Sequence, residues 1–599
     1  MSAAHDDDAP AGKVDVSLLR RVVAFARPYR RQFTGATLLL FLVSGLSLAT
    51  PLLVKRAVRD YLPENAAELG AGPEGERLRE GLIRYAIALA VVAAAAFLLR
   101  RAQLLAINRA GQRVLHDLRL AVFRHITTRS LRFFDRSPTG RLVTRVTNDV
   151  EALNELFLSG IDVMFYDLFR IAVIVVILFV VDWRMALVTL AVVPFLAAWS
   201  WWFQRQARVL YRAVRGRISV LNTRMTESLA GVRVLHAFRQ EERIARKFDA
   251  ENLALRDAHY STVRNYALFY PGMELLAAAG TGAIVFAFDR LFLAGAAPRE
   301  NLLLFWMLFN LFLEPLRQLA DKFNVLQAAL AAAERIFKVL DDPRTLPVRP
   351  DPVPLGAVRG EVRFEDVSFA YEADKPVLKN VTFTVKPGER FAFVGPTGSG
   401  KTTVISLLLR FYDPDRGRVL VDGKDVRDLD PEELRREIGV VLQDVFLFAG
   451  SVRENLALND PDIDDAKLLA AASAVGAERV LERLGGLDGA VQERGAGLST
   501  GEKQLLAFAR TLAHDPAVLV LDEATANIDT ESERVIQRAL DRLMEGRTTL
   551  VVAHRLSTIR KADRILVLHH GEIREQGAHA ELMEHDGIYA RLHRLQFKA

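Results

Sequence analysis

The 599-residue chain contains no cysteine, so disulfide frameworks, thiolate metal sites and cysteine nucleophiles are excluded together. We expect no cleavable leader either: the opening stretch "MSAAHDDDAPAGK" is polar and acidic, with no apolar core and no small-residue cleavage site. Net charge is scarce, since 79 lysines and arginines face 73 acidic residues and leave a formal +6. The basic excess gathers beside apolar segments, which argues for anchoring at a membrane and against nucleic acid as a partner.

Hydrophobic residues are abundant: 51% of the chain, with 25% charged, an odd mixture unless the apolar residues are concentrated in one region. They are concentrated in the first half. Phe33 to Val54 is 22 residues without a charge, enough for a hydrocarbon core about 30 Å thick. Five further spans are expected at Tyr85 to Leu105, Leu158 to Val181, Met185 to Phe203, Tyr266 to Phe288 and Leu302 to Leu319. Arg20, Arg21, Arg27, Arg30 and Arg31 precede the first, which predicts a cytoplasmic N-terminus and a multi-pass inner-membrane protein.

The segments between the second and third spans and between the fourth and fifth are rich in arginine and too long for structureless loops. Their apolar residues recur at helical spacing, so the spans are expected to continue as long cytoplasmic helices. The hairpin tips, "FFDRSPTGRL" at 133–142 and "TESLAGVRV" at 226–234, are candidate contacts for the soluble half. A proline-rich linker follows, and then short β-rich runs alternate with helical patterns, as in a mainly parallel α/β domain. The expected division is a membrane domain over 1–340, a linker over 341–360 and a soluble domain over 361–599.

In the soluble half "FAFVGPTGSGKTTVISLLL" places a strand, a glycine-rich turn and a helix in the order a phosphate-binding loop requires. Backbone N–H groups of that loop cradle phosphate, Lys401 reaches the outer phosphates and Thr402 is positioned for Mg2+. "AVLVLDEAT" ends a buried strand in Asp522, suited to hold the metal, and Glu523, suited to polarise an attacking water. With Gln443 in "VVLQDVFLF", His554 in "LVVAHRLS" and "LSTGE" at 498–502, the series resembles the nucleotide-binding domain of an ATP-binding cassette (ABC) transporter. Residues 1–340 resemble the six-helix membrane domain of an ABC exporter in its half-transporter arrangement.

The resemblance covers nearly the whole chain and implies an all-α six-helix transmembrane domain fused to an α/β P-loop nucleotide-binding domain. It implies ATP and Mg2+ as cofactors, Glu523, His554 and Gln443 as catalytic residues, and Thr402, Gln443 and Asp522 as metal contacts. Nucleotide contacts fall on Gly395, Pro396, Thr397, Gly398, Ser399, Gly400, Lys401, Thr402 and Thr403. Tyr371 should stack on adenine, and Asp529 should close a loop across a dimer. "QERG" at 492–495 resembles the loop before the signature that touches cytoplasmic hairpins. The implied activity is ATP-driven export of an amphipathic or hydrophobic compound by alternating access. Lipid or lipopolysaccharide-precursor flipping, peptide export and an ATP-gated channel are the alternatives.

In this family two chains share each nucleotide, one giving the phosphate loop and the other the signature. Ser499, Gly501 and Glu502 would then contact the nucleotide held by a partner chain. Thr500 and Glu502 stand where glycine and glutamine are usual; the branched side chain of Thr500, where close backbone approach matters, and the Glu502 carboxylate, which repels an anionic ligand, are both expected to weaken closure without abolishing it. A drifted signature beside an intact catalytic half resembles one subunit of a heterodimeric exporter; the alternative is a homodimer with a tolerated variant.

Charged groups inside spans cost about 2.5–3.5 kcal/mol at a helix centre and so default to functional candidates. Asp167 and Arg170 are three apart and could pair on one face, while Glu274 and Glu314 are expected at similar depth. One reading has these carboxylates lining a cavity for amphipathic cations, with Phe305, Trp306, Phe309 and Phe312 as neighbours. The other has them paired with arginines between helices.

Overall fold

The computed structural model describes residues 16–62, 73–157, 161–293, 298–372, 374–522, 530–553 and 556–597. Helix-forming runs in the first part fold into α1 (Val16–Ala26), α2 (Arg30–Tyr61), α3 (Pro73–Thr127), α4 (Leu131–Arg136), α5 (Thr139–Thr144) and α6 (Val150–Glu155). They continue as α7 (Ile161–Val181), α8 (Trp183–Leu190), α9 (Val193–Ala230), α10 (Val232–Ala237), α11 (Glu241–Leu293) and α12 (Glu300–Leu340). By length and composition the stretches Arg20–Tyr61, Gly75–Thr127, Trp183–Ala230 and Glu241–Leu293 can each cross a membrane. Helices α7 and α12 stand where the other two spans are expected.

With 55 residues α3 reaches about 80 Å, and α11 with 53 nearly as far, so both run well beyond a hydrocarbon core of about 30 Å. Helices α9 and α11 pack along one another, with Phe203 stacked on Phe269 at 4.0 Å and the hydroxyls of Tyr211 and Tyr266 2.6 Å apart. The fourth span is not one uninterrupted helix as the sequence suggests. It breaks between α8 and α9, because Pro194 lacks the N–H that would continue the ladder.

The chain divides into two compact units. One comprises residues up to Thr127 and Thr139–Asp342; the other comprises Thr128–Pro138 and the chain from Pro343 onward. The first tip is therefore split, its Phe133–Pro138 part belonging to the second unit. There Phe133 is buried, and the Arg344 guanidinium lies 5.9 Å from its ring centroid. At the second tip Leu229 and Val234 are exposed, at 66% and 59%, and so is Phe238 just beyond it, at 71%.

The charged residues of the third span are not paired with each other. Lys322 of α12 donates to Asp167, and Arg170 donates to Glu314 at 2.7 Å. Each thus meets an opposite charge on α12, as ionisable groups inside a membrane segment require a partner. The same Arg170 nitrogen donates to the Leu311 carbonyl at 2.8 Å. Leu311 lies four residues before Pro315, whose ring has no N–H to give it, so the guanidinium supplies the missing donor. Glu274 is exposed and forms no ion pair among the described residues. Phe305, Phe309 and Phe312 do not line a cavity: spaced on one face of α12, they are buried in the helical core, and of the four aromatics Trp306 alone is exposed.

In the second unit, β1 (Val362–Glu372), β2 (Lys375–Val385), β4 (Arg416–Val421) and β5 (Lys424–Asp425) form an antiparallel sheet in the order β2-β1-β4-β5. A second sheet has the order β12-β11-β3-β10-β9-β6, from β3 (Arg390–Val394), β6 (Ile438–Val441), β9 (Val518–Asp522), β10 (Thr548–Val552), β11 (Arg564–His569) and β12 (Glu572–Gly577). All its pairings are parallel except the β12 edge. Its central strands carry continuous apolar runs, Phe391–Val394, Val518–Leu521 and Leu550–Val552, because both faces are covered. A small ribbon joins β7 (Gly450–Ser451) to β8 (Ala490–Val491).

Removing the guanidinium by Arg170→Ala should cost about 1–3 kcal/mol, the penalty for an unsatisfied buried carbonyl and its carboxylate neighbour. In a Pro315→Ala background residue 315 regains its N–H, so the cost of Arg170→Ala should shrink by about 1 kcal/mol. Thermal unfolding of the four proteins in detergent closes the cycle, and strict additivity would show that the arginine does not serve the proline gap.

Candidate nucleotide site

The phosphate loop leaves β3 at Val394 and enters α13 (Lys401–Leu408) at Lys401, at the carboxyl end of the parallel strands where ligands of such sheets bind. Two glycines are dictated by space. A Cβ on Gly395 would stand 2.1 Å from the Leu568 carbonyl oxygen, and Gly400, at φ +105°, would place one 2.6 Å from Leu378. Pro396, Thr397, Gly398 and Thr402 are exposed, while Ser399, Gly400, Lys401 and Thr403 are buried. Lys401 donates to the carbonyls of Gly395 and Pro396 at 2.8 and 3.0 Å, folding over its own loop. Burial pushes its pKa below the usual lysine value, with the Asp522 carboxylate opposing that shift.

The Ser399 hydroxyl is buried with no hydrogen-bond partner among the described residues, an orphaned polar atom inside a loop built for phosphate. The residues therefore fit a nucleotide. Asp522 ends β9, one strand away from β3 with β10 between them, and Val552 pairs with both Phe393 and Asp522 across that strand. Gln443 is exposed two residues past β6. Glu523, Asp529 and His554 lie outside the described residues.

Tyr371, near the end of β1, is 37% exposed and keeps an open face. Its ring meets Tyr412 edge-on at 5.2 Å, and its hydroxyl lies 3.3 Å from that of Thr403. Tyr412 in turn donates to Asp135 at 2.6 Å, within the first hairpin tip. Burial and that hydrogen bond raise the Tyr412 pKa, so it remains a donor. Sequence reading missed Tyr412, although its position in "RFYDP", directly after the phosphate-loop helix, was a usable signal.

The signature begins the helix Thr500–Ala513, which packs in a different apolar core from α13. Glu502 does not hang free. Its carboxylate accepts from the Ser499 N–H at 2.8 Å, the Glu502 N–H donates back to the Ser499 hydroxyl oxygen at 3.3 Å, and Arg483 pairs with it at 2.7 Å. This is a capping box, the use to which a glutamine at that position can also be put. Burial works to raise the Glu502 pKa, but the Ser499 hydrogen bonds and Arg483 outweigh it and lower the value. The expected repulsion of an anionic ligand is thereby countered by Arg483. The Ser499 oxygen serves as acceptor in the box, so its hydroxyl proton stays available, and Gly501 is buried in the first turn.

A helical membrane unit on one chain with a phosphate loop at the carboxyl ends of a parallel sheet defines a membrane-embedded P-loop nucleotide-binding protein. Residues 33–316 match the family model of the ABC transporter transmembrane region and residues 378–526 that of the ABC transporter. The ATP-dependent lipid A-core flippase of Syntrophus aciditrophicus (strain SB) is 34% identical over 588 residues, covering 98% of this chain and 96% of the flippase. A probable multidrug resistance ABC transporter ATP-binding/permease protein of Bacillus subtilis (strain 168) is 38% identical over 498 residues, 82% of this chain and 73% of its own. The structure of a bacterial Atm1-family ABC exporter with ATP bound superposes with a TM-score of 0.76 at 28% identity, covering 95% of this chain and 98% of that one. The chain belongs to the ABC transporter family, as an exporter that couples ATP hydrolysis to transport.

Replacing Glu502 by Gln should leave both melting temperature and ATPase near wild type, because the cap survives. Glu502→Ala should lose about 1 kcal/mol of cap stability. A several-fold rise in ATPase for Glu502→Gln would instead show that the carboxylate charge does hold the site back. For Tyr412→Phe we expect basal ATPase within about twofold of wild type and loss of its stimulation by transported compounds, since a hydrogen bond to a charged group is worth about 1.5–3 kcal/mol. Unaltered stimulation would remove Tyr412 from the coupling route.

Proposed function

We propose that this chain is one half of a dimeric exporter that moves an amphipathic or hydrophobic compound, drug-like or lipid, across the inner membrane. The observation that carries the reading is the pairing, on one chain, of membrane-length helices with a phosphate loop whose Ser399 hydroxyl and Lys401 are poised for phosphate. The arginines ahead of the first span put the N-terminus, the long helix extensions and the nucleotide-binding domain in the cytoplasm.

Tyr371 takes the adenine on its open face, and Lys401 releases its own carbonyls to take the outer phosphates. Thr402, Asp522 and Gln443 would hold Mg2+, which when bound offsets charge developing on the transferred phosphoryl group. Glu523 accepts a proton from the attacking water, His554 contacts the outer phosphate, and Asp529 closes the adjoining loop. Ser499 and Gly501 of the partner chain's signature would cover the nucleotide from the other side. The exposed apolar second tip, with Leu229 and Val234, and Phe238 just beyond it suit docking on the partner's nucleotide-binding domain. Closure would pass from the hairpin tips along the long helices and turn the cavity outward, and hydrolysis would reset it.

Asp167, Arg170 and Glu314 are engaged in cross-helix pairs, which leaves Glu274 as the candidate carboxylate for cationic substrates. The partner is a second half-transporter chain. The Arg483–Glu502 pair leaves the signature competent, so a second copy of this chain fits that role as well as a distinct subunit does. The purified chain in nanodiscs, beside a Glu523→Gln control, separates these readings. A dimeric native mass with turnover that falls at least about a hundredfold in the control supports a homodimer. A monomer or an inactive dimer points to a distinct partner, and turnover unaffected by Glu523→Gln would overturn the catalytic assignment.

A further inference from the structure

A cavity of about 530 Å³ opens beside the foot of the first span, between α1, the start of α2 and the residues that follow α6. Most of its wall is apolar: Phe33, Leu38, Phe41 and Phe157 contribute, with the rings of Phe33 and Phe157 5.7 Å apart. Arg27 and Arg30 stand at one end. Both are exposed, and neither forms an ion pair among the described residues. From Arg30 to Phe41 the helix rises about 16 Å, close to the half-thickness of a hydrocarbon core of about 30 Å. The arginines thus fall at headgroup level and the phenylalanines at acyl-chain depth.

That gradient selects the ligand. Inorganic phosphate would satisfy the arginines and leave the apolar wall bare, and a neutral acyl chain would leave two cations unpaired. A phospholipid with a net negative headgroup satisfies both. The cavity is also mechanically connected. Its α1 wall is held to the end of α12 by Arg21, which pairs with Asp341 at 2.6 Å and lies 3.9 Å from the centroid of the Phe337 ring. Helix α12 is the segment from which the chain continues toward the nucleotide-binding domain.

We propose that this cavity binds one anionic phospholipid of the cytoplasmic leaflet, its phosphate between Arg27 and Arg30 and one acyl chain along Phe33, Leu38 and Phe41, and that its occupancy sets the ATPase rate through α1. The choice of leaflet rests on the orientation argued above.

The test uses the full-length protein in nanodiscs of phosphatidylcholine with a rising share of phosphatidylglycerol, read by ATPase rate and by native mass spectrometry of retained lipid. Wild type should show saturable dependence on phosphatidylglycerol and retain it. The Arg27→Gln/Arg30→Gln pair should need a several-fold larger share for half-effect and retain one fewer molecule per chain, with its rate in pure phosphatidylcholine unchanged. Leu38→Trp, which fills the apolar part and keeps both arginines, should do the same. The Arg31→Gln/Arg109→Gln pair, drawn from the neighbouring cavity on another face of α2, should not. Equal losses in that control would mean diffuse surface charge and overturn the site, as would wild-type retention in the first pair or in Leu38→Trp. Nanodiscs expose both leaflets, so these outcomes stand apart from orientation. That is checked separately with Ser17→Cys in the cysteine-free chain: labelling by an impermeant maleimide in intact cells overturns the leaflet and leaves the site standing.

Discussion

A carbonyl oxygen inside a bilayer has no water to turn to, and the way α12 is held follows from that constraint. Pro315 removes one backbone hydrogen bond inside α12, so the freed Leu311 carbonyl needs a donor, and Arg170 of α7 provides it while neutralising itself on Glu314. Further along α12, Lys322 meets Asp167 and Arg335 meets Asp149. Three charged contacts thus fasten one long helix to the segment around the third span. Because each would leave a charge or a carbonyl unpaired if the helices slid apart, the two elements are expected to move together. At its far end α12 is gripped by Arg21 of α1. Displacement of that helix is therefore expected to be shared with α1 and α7.

The same constraint explains what could be read from the sequence alone. Spans are legible because lipid demands runs of apolar residues, and the phosphate loop is legible because its chemistry depends on neighbours in sequence, Gly395 through Thr403. The breaks are half-legible: Pro194 marks the kink between α8 and α9, but an uninterrupted span is what hydropathy suggests. Pairings are not legible in this way. Arg170 and Glu314 are 144 positions apart, and Tyr412 and Asp135 are 277 apart, so composition can flag each charge as costly without naming its partner. The aromatic stripe of α12 failed for a related reason. Helical spacing shows that Phe305, Phe309 and Phe312 share a face, yet cannot say whether that face meets a substrate or another helix.

The signature shows how a charge can mislead when it is read without its neighbours. On paper both substitutions weaken closure, Glu502 by its charge and Thr500 by its volume. In the folded chain the two differ. The Glu502 carboxylate caps the first turn of its helix and is balanced by Arg483, so an approaching phosphate meets the helix N-terminus with the added negative charge largely offset. Thr500 is exposed and crowds nothing within its own chain. In the dimer proposed above, its branched side chain would meet a nucleotide only when the opposite subunit closes against it, where a glycine would have left room. With the charge of Glu502 offset by Arg483, the volume of Thr500 would remain as the feature of this signature that limits such closure.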